Sequence, residues 1–168
     1  MIPALTPRQV HSFEIQVVRS ARRTKSVQAQ LCDGRLKISI PAAMSAREEH
    51  EWVERMAARM RRTRTSAHID LSKRAAALAS RHGLAVPTRI VWSSRQNERW
   101  GSCTPSDGSV RISDRVADMP DWVLDYVIVH ELAHLDEPGH GPRFLALVER
   151  YELAERARGY LIARSDGT

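Results

Sequence analysis

Cysteine is scarce in this chain. Cys32 and Cys103 are its two cysteines, far apart and outside any CxxC spacing, so neither a disulfide framework nor a cysteine-based zinc cluster is indicated. Long apolar runs are missing too: no stretch approaches a membrane span, and the N-terminal MIPALTPRQVHSFEIQ lacks the basic-then-apolar layout of a secretory signal. A soluble, cytoplasmic protein with no membrane association and reduced thiols is the expectation. Repeats, low-complexity segments and linkers are also lacking. With 168 residues, 42% of them hydrophobic, the chain is long enough to bury one core and is expected to fold as a single domain.

Acidic charge is thin in the first half only. Residues 1–83 carry 16 Lys and Arg against 7 Asp and Glu, a balance of +9, whereas residues 84–168 carry 10 against 13, a balance of −3, which together give the net +6. The basic residues cluster at Arg55, Arg59, Arg61, Arg62 and Arg64, and again at Arg19, Arg22, Arg23 and Lys25. Such a face can hold phosphates, but no zinc finger or RNP-type aromatic motif accompanies it. Weak, non-specific nucleic-acid binding through the basic half is the most that charge alone supports; a solvated helix face is the plainer reading.

Strands come first along the chain. Phe13, Ile15 and Val17 alternate in SFEIQVVRS, and SVQAQL and RLKISI flank Asp33-Gly34, a two-residue hairpin signal, so three antiparallel strands are expected. Ser45-Ala46-Arg47-Glu48 reads as a capping box opening a helix whose Trp52, Val53, Met56, Ala57 and Met60 recur at helical spacing. An Ala-rich helix over about Ser66 to His82 should stop at Gly83, ahead of Pro87. RIVWSS, ERWGSC and SVRIS then read as strands, the last two joined across Asp107-Gly108. From Pro120, PDWVLDYVIVHELAHL is apolar almost all round, the pattern of a helix buried in a core. Further helices are expected from about Pro142 to Glu149 and from about Leu153 to Arg164.

Three of the seven histidines fall in VHELAHLDEPGHGPRF. His130 and His134, four residues apart on a helix, project into one volume, and Glu131 sits on the adjoining part of that face. This His-Glu-x-x-His arrangement is that of zinc hydrolases, in which the carboxylate acts on water without being a ligand. Catalytic zinc takes three protein ligands and leaves a position open. Pro138-Gly139 breaks the helix and lets His140 return as the third ligand, before Gly141-Pro142 starts the next helix. Two imidazoles and a carboxylate on an apolar helix would be expensive to bury without a metal or partners. Tyr151 and Arg143, in the helical region after His140, are candidates for a second electrophile. His11, His50, His68 and His82 read as surface residues. ERWGSC reads either as an edge strand beside the metal along which a substrate lies extended, Gly101 letting that chain approach closely, or as a stretch in which Trp100 fills the core and Gly101 marks a bulge; Cys103 reads as an inert thiol more readily than as a zinc-directed thiolate.

The stretches ERWGSC, DYVIVHELAHLDEPGHGPRF and VVRSARRTKSVQAQLCDGRLKISIP, which together span roughly Phe13 to Val148, resemble the YgjP-like metallopeptidase domain, whose comparable segments read RWGSC and YVVxHELxHLxxxxHxxxF. The resemblance implies a zincin-type peptidase domain in which His130, His134 and His140 hold Zn2+ and Glu131 is catalytic. Leu145, where an aromatic often follows the Phe, and Gly141-Pro142, in place of a more polar pair, depart from the family pattern and bear on substrate preference. A metzincin would have Gly at the position of Glu137. The expected fold is α+β: a small antiparallel or mixed sheet packed against a central zinc-binding helix and flanking helices, with a β-ribbon and basic helix over about 12–83 and the zinc-site half over about 84–164. The expected function is peptide-bond hydrolysis in a peptide or protein substrate. Its rivals are a Spartan-like or SprT-like protease acting on DNA-associated proteins, and a non-catalytic zinc-binding interaction module.

Overall fold

Two residues of positive φ, Asp33 at 49° and Gly34 at 77°, reverse the chain between strands. Both central residues of a type I′ turn need that conformation, and its twist matches the strands on either side. The structure, a computed structural model, describes residues 14–165; Phe13 and His11 lie outside the described residues. The chain divides into two compact units, residues up to Arg61 and residues from Arg62 onward.

In the first unit the strands are β1 (Glu14–Ser20), β2 (Gln28–Cys32) and β3 (Arg35–Pro41), followed by α1 (Ala46–Ala67), which runs past the unit boundary. The strand order is β1-β3-β2, with β2 antiparallel and β1 parallel to β3. The expectation of three antiparallel strands is corrected here. The hairpin forms as read, but residues 21–27 carry the chain around so that β3 takes the middle place. Burial explains the choice: Leu36, Ile38 and Ile40 of β3 are each fully buried, while β2 is mostly exposed and suits an edge. Against β3 lie Val53, Met56, Ala57 and Met60 of α1. The capping box is present in both directions, Glu48 N donating to Ser45 Oγ at 3.3 Å and Ser45 N to Glu48 Oε2 at 3.0 Å. Trp52 is not in this cluster; the Arg55 guanidinium lies 4.6 Å from its ring centre.

The second unit holds α2 (Leu71–His82), β4 (Arg89–Ser93), β5 (Gly101–Thr104), β6 (Ser109–Ser113), α3 (Asp121–Asp136), α4 (Pro142–Val148) and α5 (Ala154–Ser165). α2 starts later than the sequence suggested, because Asp70 caps it through Lys73 N at 2.9 Å. Its sheet repeats the topology of the first: order β4-β6-β5, β4 parallel and β5 antiparallel to β6. That leaves β5 as an edge strand. α3 is apolar on all sides because it is covered on all sides; Val123, Ile128, Val129, Leu132 and Ala133 are fully buried. The architecture is α+β with small mixed sheets, as the sequence led one to expect. Among the described residues no helix is long and apolar enough to cross a membrane.

His50 and His68 are exposed, but His82 is not. It is 9% exposed, with its ring edge-on to Tyr151 at 5.7 Å, and its carbonyl accepts from Arg150 Nη1 at 2.9 Å. The polar, helix-end context that reads as surface is overruled by packing on Tyr151.

Candidate metal centre

One turn of α3 separates His130 from His134, and their rings stand edge to face with centroids 5.1 Å apart. After α3 ends, Pro138-Gly139 turns the chain and His140 comes back, its centroid 4.6 Å from His134 and 5.6 Å from His130. One ligand atom from each of the three lies within 4.8 Å of the others, the only such group of His, Cys, Asp or Glu among the described residues. Gly141 and Pro142 begin α4 directly behind His140, so its ring hangs between two helix ends.

Phe144 is what the three rings rest on. It is 2% exposed, stacks on His134 at 4.3 Å and 24°, and meets His130 and His140 at 4.9 and 4.7 Å. It is one helical turn after His140, a spacing that could have marked it. A second constraint acts on His134, whose Nδ1 lies 3.2 Å from the carbonyl of Glu137. A carbonyl can only accept, so Nδ1 carries the proton and Nε2 keeps its lone pair. Burial lowers the His134 pKa from the ordinary imidazole value. Burial also brings His130 down to about 4, with His134 and His140 beside it adding to the effect. Imidazole nitrogens are the donors that a divalent transition metal takes, and the three converging rings fit such an ion.

Glu131 is 6% exposed, and burial pushes its carboxyl up to about 7, with Arg99 nearby opposing the rise. It packs on Gly101, the first residue of β5: a Cβ there would lie 2.5 Å from Glu131 Oε1. Of the two readings open for Gly101, approach by another chain or a bulge, neither captures this close contact, because it depends on a residue thirty positions away. The histidines, Glu131 and β5 line one cleft of ≈ 790 Å³, with α5 as a further wall. Trp100 packs at the cleft edge under the Arg115 guanidinium, 4.0 Å from its ring centre, and against the core. Cys103 also faces the cleft, but burial and Glu131 raise its thiol to about 11, and it does not join the histidine group.

Neither suggested electrophile reaches the site. Tyr151 is 8% exposed and its hydroxyl donates to the Trp122 carbonyl at 2.9 Å. Arg143 points to solvent, its side chain 88% exposed and 3.7 Å from Glu137. Tyr126, one turn before His130, and Arg158 of α5 line the cleft instead.

A mixed α+β unit that gathers three imidazoles and a buried carboxyl in one cleft has the architecture of a metal-dependent hydrolase. The chain belongs to the YgjP-like metallopeptidase domain family, whose match extends over residues 11–156. Among solved structures, the metallopeptidase zymogen abylysin of Pyrococcus abyssi is similar at 18% identity and a TM-score of 0.49, over 55% of this chain and 91% of that one. The metallopeptidase zymogen jannalysin of Methanocaldococcus jannaschii is similar at 16% identity and a TM-score of 0.48, over 57% and 97%. A sequence comparison with curated proteins found no match.

Proposed function

We propose that this metallopeptidase domain is a zinc peptidase in which His130, His134 and His140 hold one zinc ion and Glu131 is the general base. The observation that carries the reading is the placement of a buried carboxyl, seated against Gly101, in the same cleft as three converging imidazoles. Zinc held there would polarise a carbonyl and bring the pKa of water towards neutrality. The chain's own part is proton handling and positioning. Glu131 takes the proton of the attacking water as its oxygen bonds to the scissile carbon; when the C–N bond breaks, the same carboxyl gives that proton to the leaving amine. β5 is the edge strand of its sheet among the described residues and lines the cleft, where an extended peptide can pair with it backbone to backbone. The thiols of Cys32 and Cys103 are both unpaired, which suits a reducing cytoplasm.

The test is Glu131→Gln, nearly isosteric but unable to take up a proton. Zinc stoichiometry and fold should persist while turnover falls roughly 100-fold to 10,000-fold, the usual loss of a general base. Wild-type turnover in the variant would remove Glu131 from the mechanism. A zinc-loaded wild type that cleaves nothing across a broad peptide and protein panel would leave a binding module.

A further inference from the structure

α5 turns one face to the cleft. Arg158, Leu161, Ile162 and Ser165 recur at helical spacing and all line it. Tyr126 and Val127, one turn before His130 and Glu131 on α3, line the same cavity, so this part of it has mainly apolar walls. Ile162 is 56% exposed although it faces the cleft. A guanidinium stands among these apolar groups: Arg158 is in hydrogen-bonding reach of the Tyr126 hydroxyl, and its charge is felt at His130.

Charge in the cleft is lopsided. Arg99 and Arg158 both line it, whereas Glu131 is its one lining carboxylate, and Glu131 sits against Gly101 with Arg99 acting on it. The carboxylate in direct contact with Arg158 is Glu155, whose side chain is 78% exposed, and Glu149 adds a further negative charge in its surroundings. An ion pair so open to water holds a guanidinium weakly, and a carboxylate arriving inside the cleft can displace it.

We infer that Arg158 binds a carboxylate of the substrate, so that the cleft selects peptides with an acidic group close to the scissile bond, while Leu161 and Ile162 take up the aliphatic part beside it. The inference rests on the peptidase reading and names its substrate class. The carboxylate can come from an Asp or Glu side chain or from a free C-terminus; the chemistry is the same.

The experiment uses the full chain loaded with zinc and peptides that differ in one group, Glu against Gln near the scissile bond and free against amidated C-terminus. Cleavage is measured as kcat/KM, and equilibrium binding is measured separately on the Glu131→Gln protein. The acidic member of a pair should be preferred by about 10-fold or more in both assays, the usual scale for a hydrogen-bonded charge. Arg158→Gln should abolish the preference and Arg158→Lys, which keeps charge but not the fork, should retain part of it. Arg156→Gln, on the same helix with its guanidinium 4.8 Å from the Trp122 ring centre, should leave it intact. A preference that follows Glu against Gln identifies the side chain as the source; one that follows amidation identifies the C-terminus. Equal handling of acidic and neutral peptides by the wild type, or an unchanged preference in both Arg158 variants, overturns the inference. Arg158-dependent binding without any cleavage would sink the peptidase reading and leave the carboxylate site standing; cleavage without charge preference would do the reverse.

Discussion

The Glu131 carboxyl fills the space that a side chain on Gly101 would need. A Cβ on Gly101 would come within 2.5 Å of Oε1, 2.7 Å of Cγ and 2.8 Å of Cδ, closer than real Cβ atoms approach. Because Glu131 is 6% exposed, it has little room to step aside. Gly101→Ala should therefore displace the proposed base: roughly 1–3 kcal/mol lost from stability through overpacking, and a fall in turnover approaching that of Glu131→Gln. The histidines do not touch this contact, so the proposed one zinc ion per chain should be retained. A Gly101→Ala protein with wild-type turnover would show that the tight fit has no bearing on catalysis.

Phe144 carries a different burden, the orientation of three imidazoles at once. Phe144→Leu keeps an apolar side chain but loses ring contacts to His134, His130 and His140 at 4.3, 4.9 and 4.7 Å. Groups that orient ligands typically account for 10-fold to 100-fold in metal affinity, and the lost packing should add roughly 1–3 kcal/mol of destabilisation. Competition for zinc against a chelator of known affinity measures the first and thermal unfolding of the metal-free protein the second. Unaltered zinc affinity would reduce Phe144 to a core residue.

The histidine pair was legible because a helix has one period, and four residues of spacing fix a shared face whatever surrounds it. His140 was legible because Pro138-Gly139 forces the chain to turn where it does. The strand order of the first sheet was not: alternation says which face of β1 is buried, not which strand lies next to it, and the parallel pairing with β3 is set by packing. Gly101 and Glu131, His82 and Tyr151, and Tyr151 and Trp122 are contacts between distant residues, which no local pattern encodes. Tyr151 illustrates the loss. Its place in the helical region after His140 made it a candidate, and only the structure shows its hydroxyl already bonded to a backbone carbonyl.

Cys103 offers a pH-dependent check on the cleft. Its thiol is pushed up to about 11, chiefly by burial and then by the charges of Glu131 and Asp107. A folded-state pKa that high leaves the neutral thiol dominant up to alkaline pH, and only the thiolate alkylates. At pH 8 the thiolate fraction is far below that of an ordinary thiol of pKa ~8.5, partly offset by the greater nucleophilicity of a more basic sulfur. Iodoacetamide should label Cys103 roughly 10-fold to 100-fold more slowly than a small-molecule thiol at pH 8. The rate should climb close to tenfold per pH unit from 7.5 to 9.5, without a plateau. A plateau near pH 8.5 would mean that the thiol sees water and not the cleft wall.

Replacing His140 separates the proposed metal binding from folding most cleanly. It is exposed, and unlike His130 and His134 it lies outside α3, in the turn before α4. Replacing an exposed turn residue usually alters stability by no more than about 0.5 kcal/mol, so metal-free His140→Ala should melt close to the metal-free wild type. Zinc is expected to change that comparison. An ion bound by the folded form alone adds RT ln(1 + [Zn]/Kd) to stability, about 4 kcal/mol at a thousandfold excess over Kd. With one of three ligands gone the affinity should fall at least 100-fold, removing about 2.7 kcal/mol of that increment at the same free zinc. The readout is the difference in melting temperature with and without buffered zinc, taken for wild type, His140→Ala and His68→Ala, the last an exposed histidine outside the group. Wild type and His68→Ala should rise together on adding zinc and His140→Ala should lag well behind. An equal rise in all three would remove His140 from the ligand set and leave the pair on α3 to be completed by some other group.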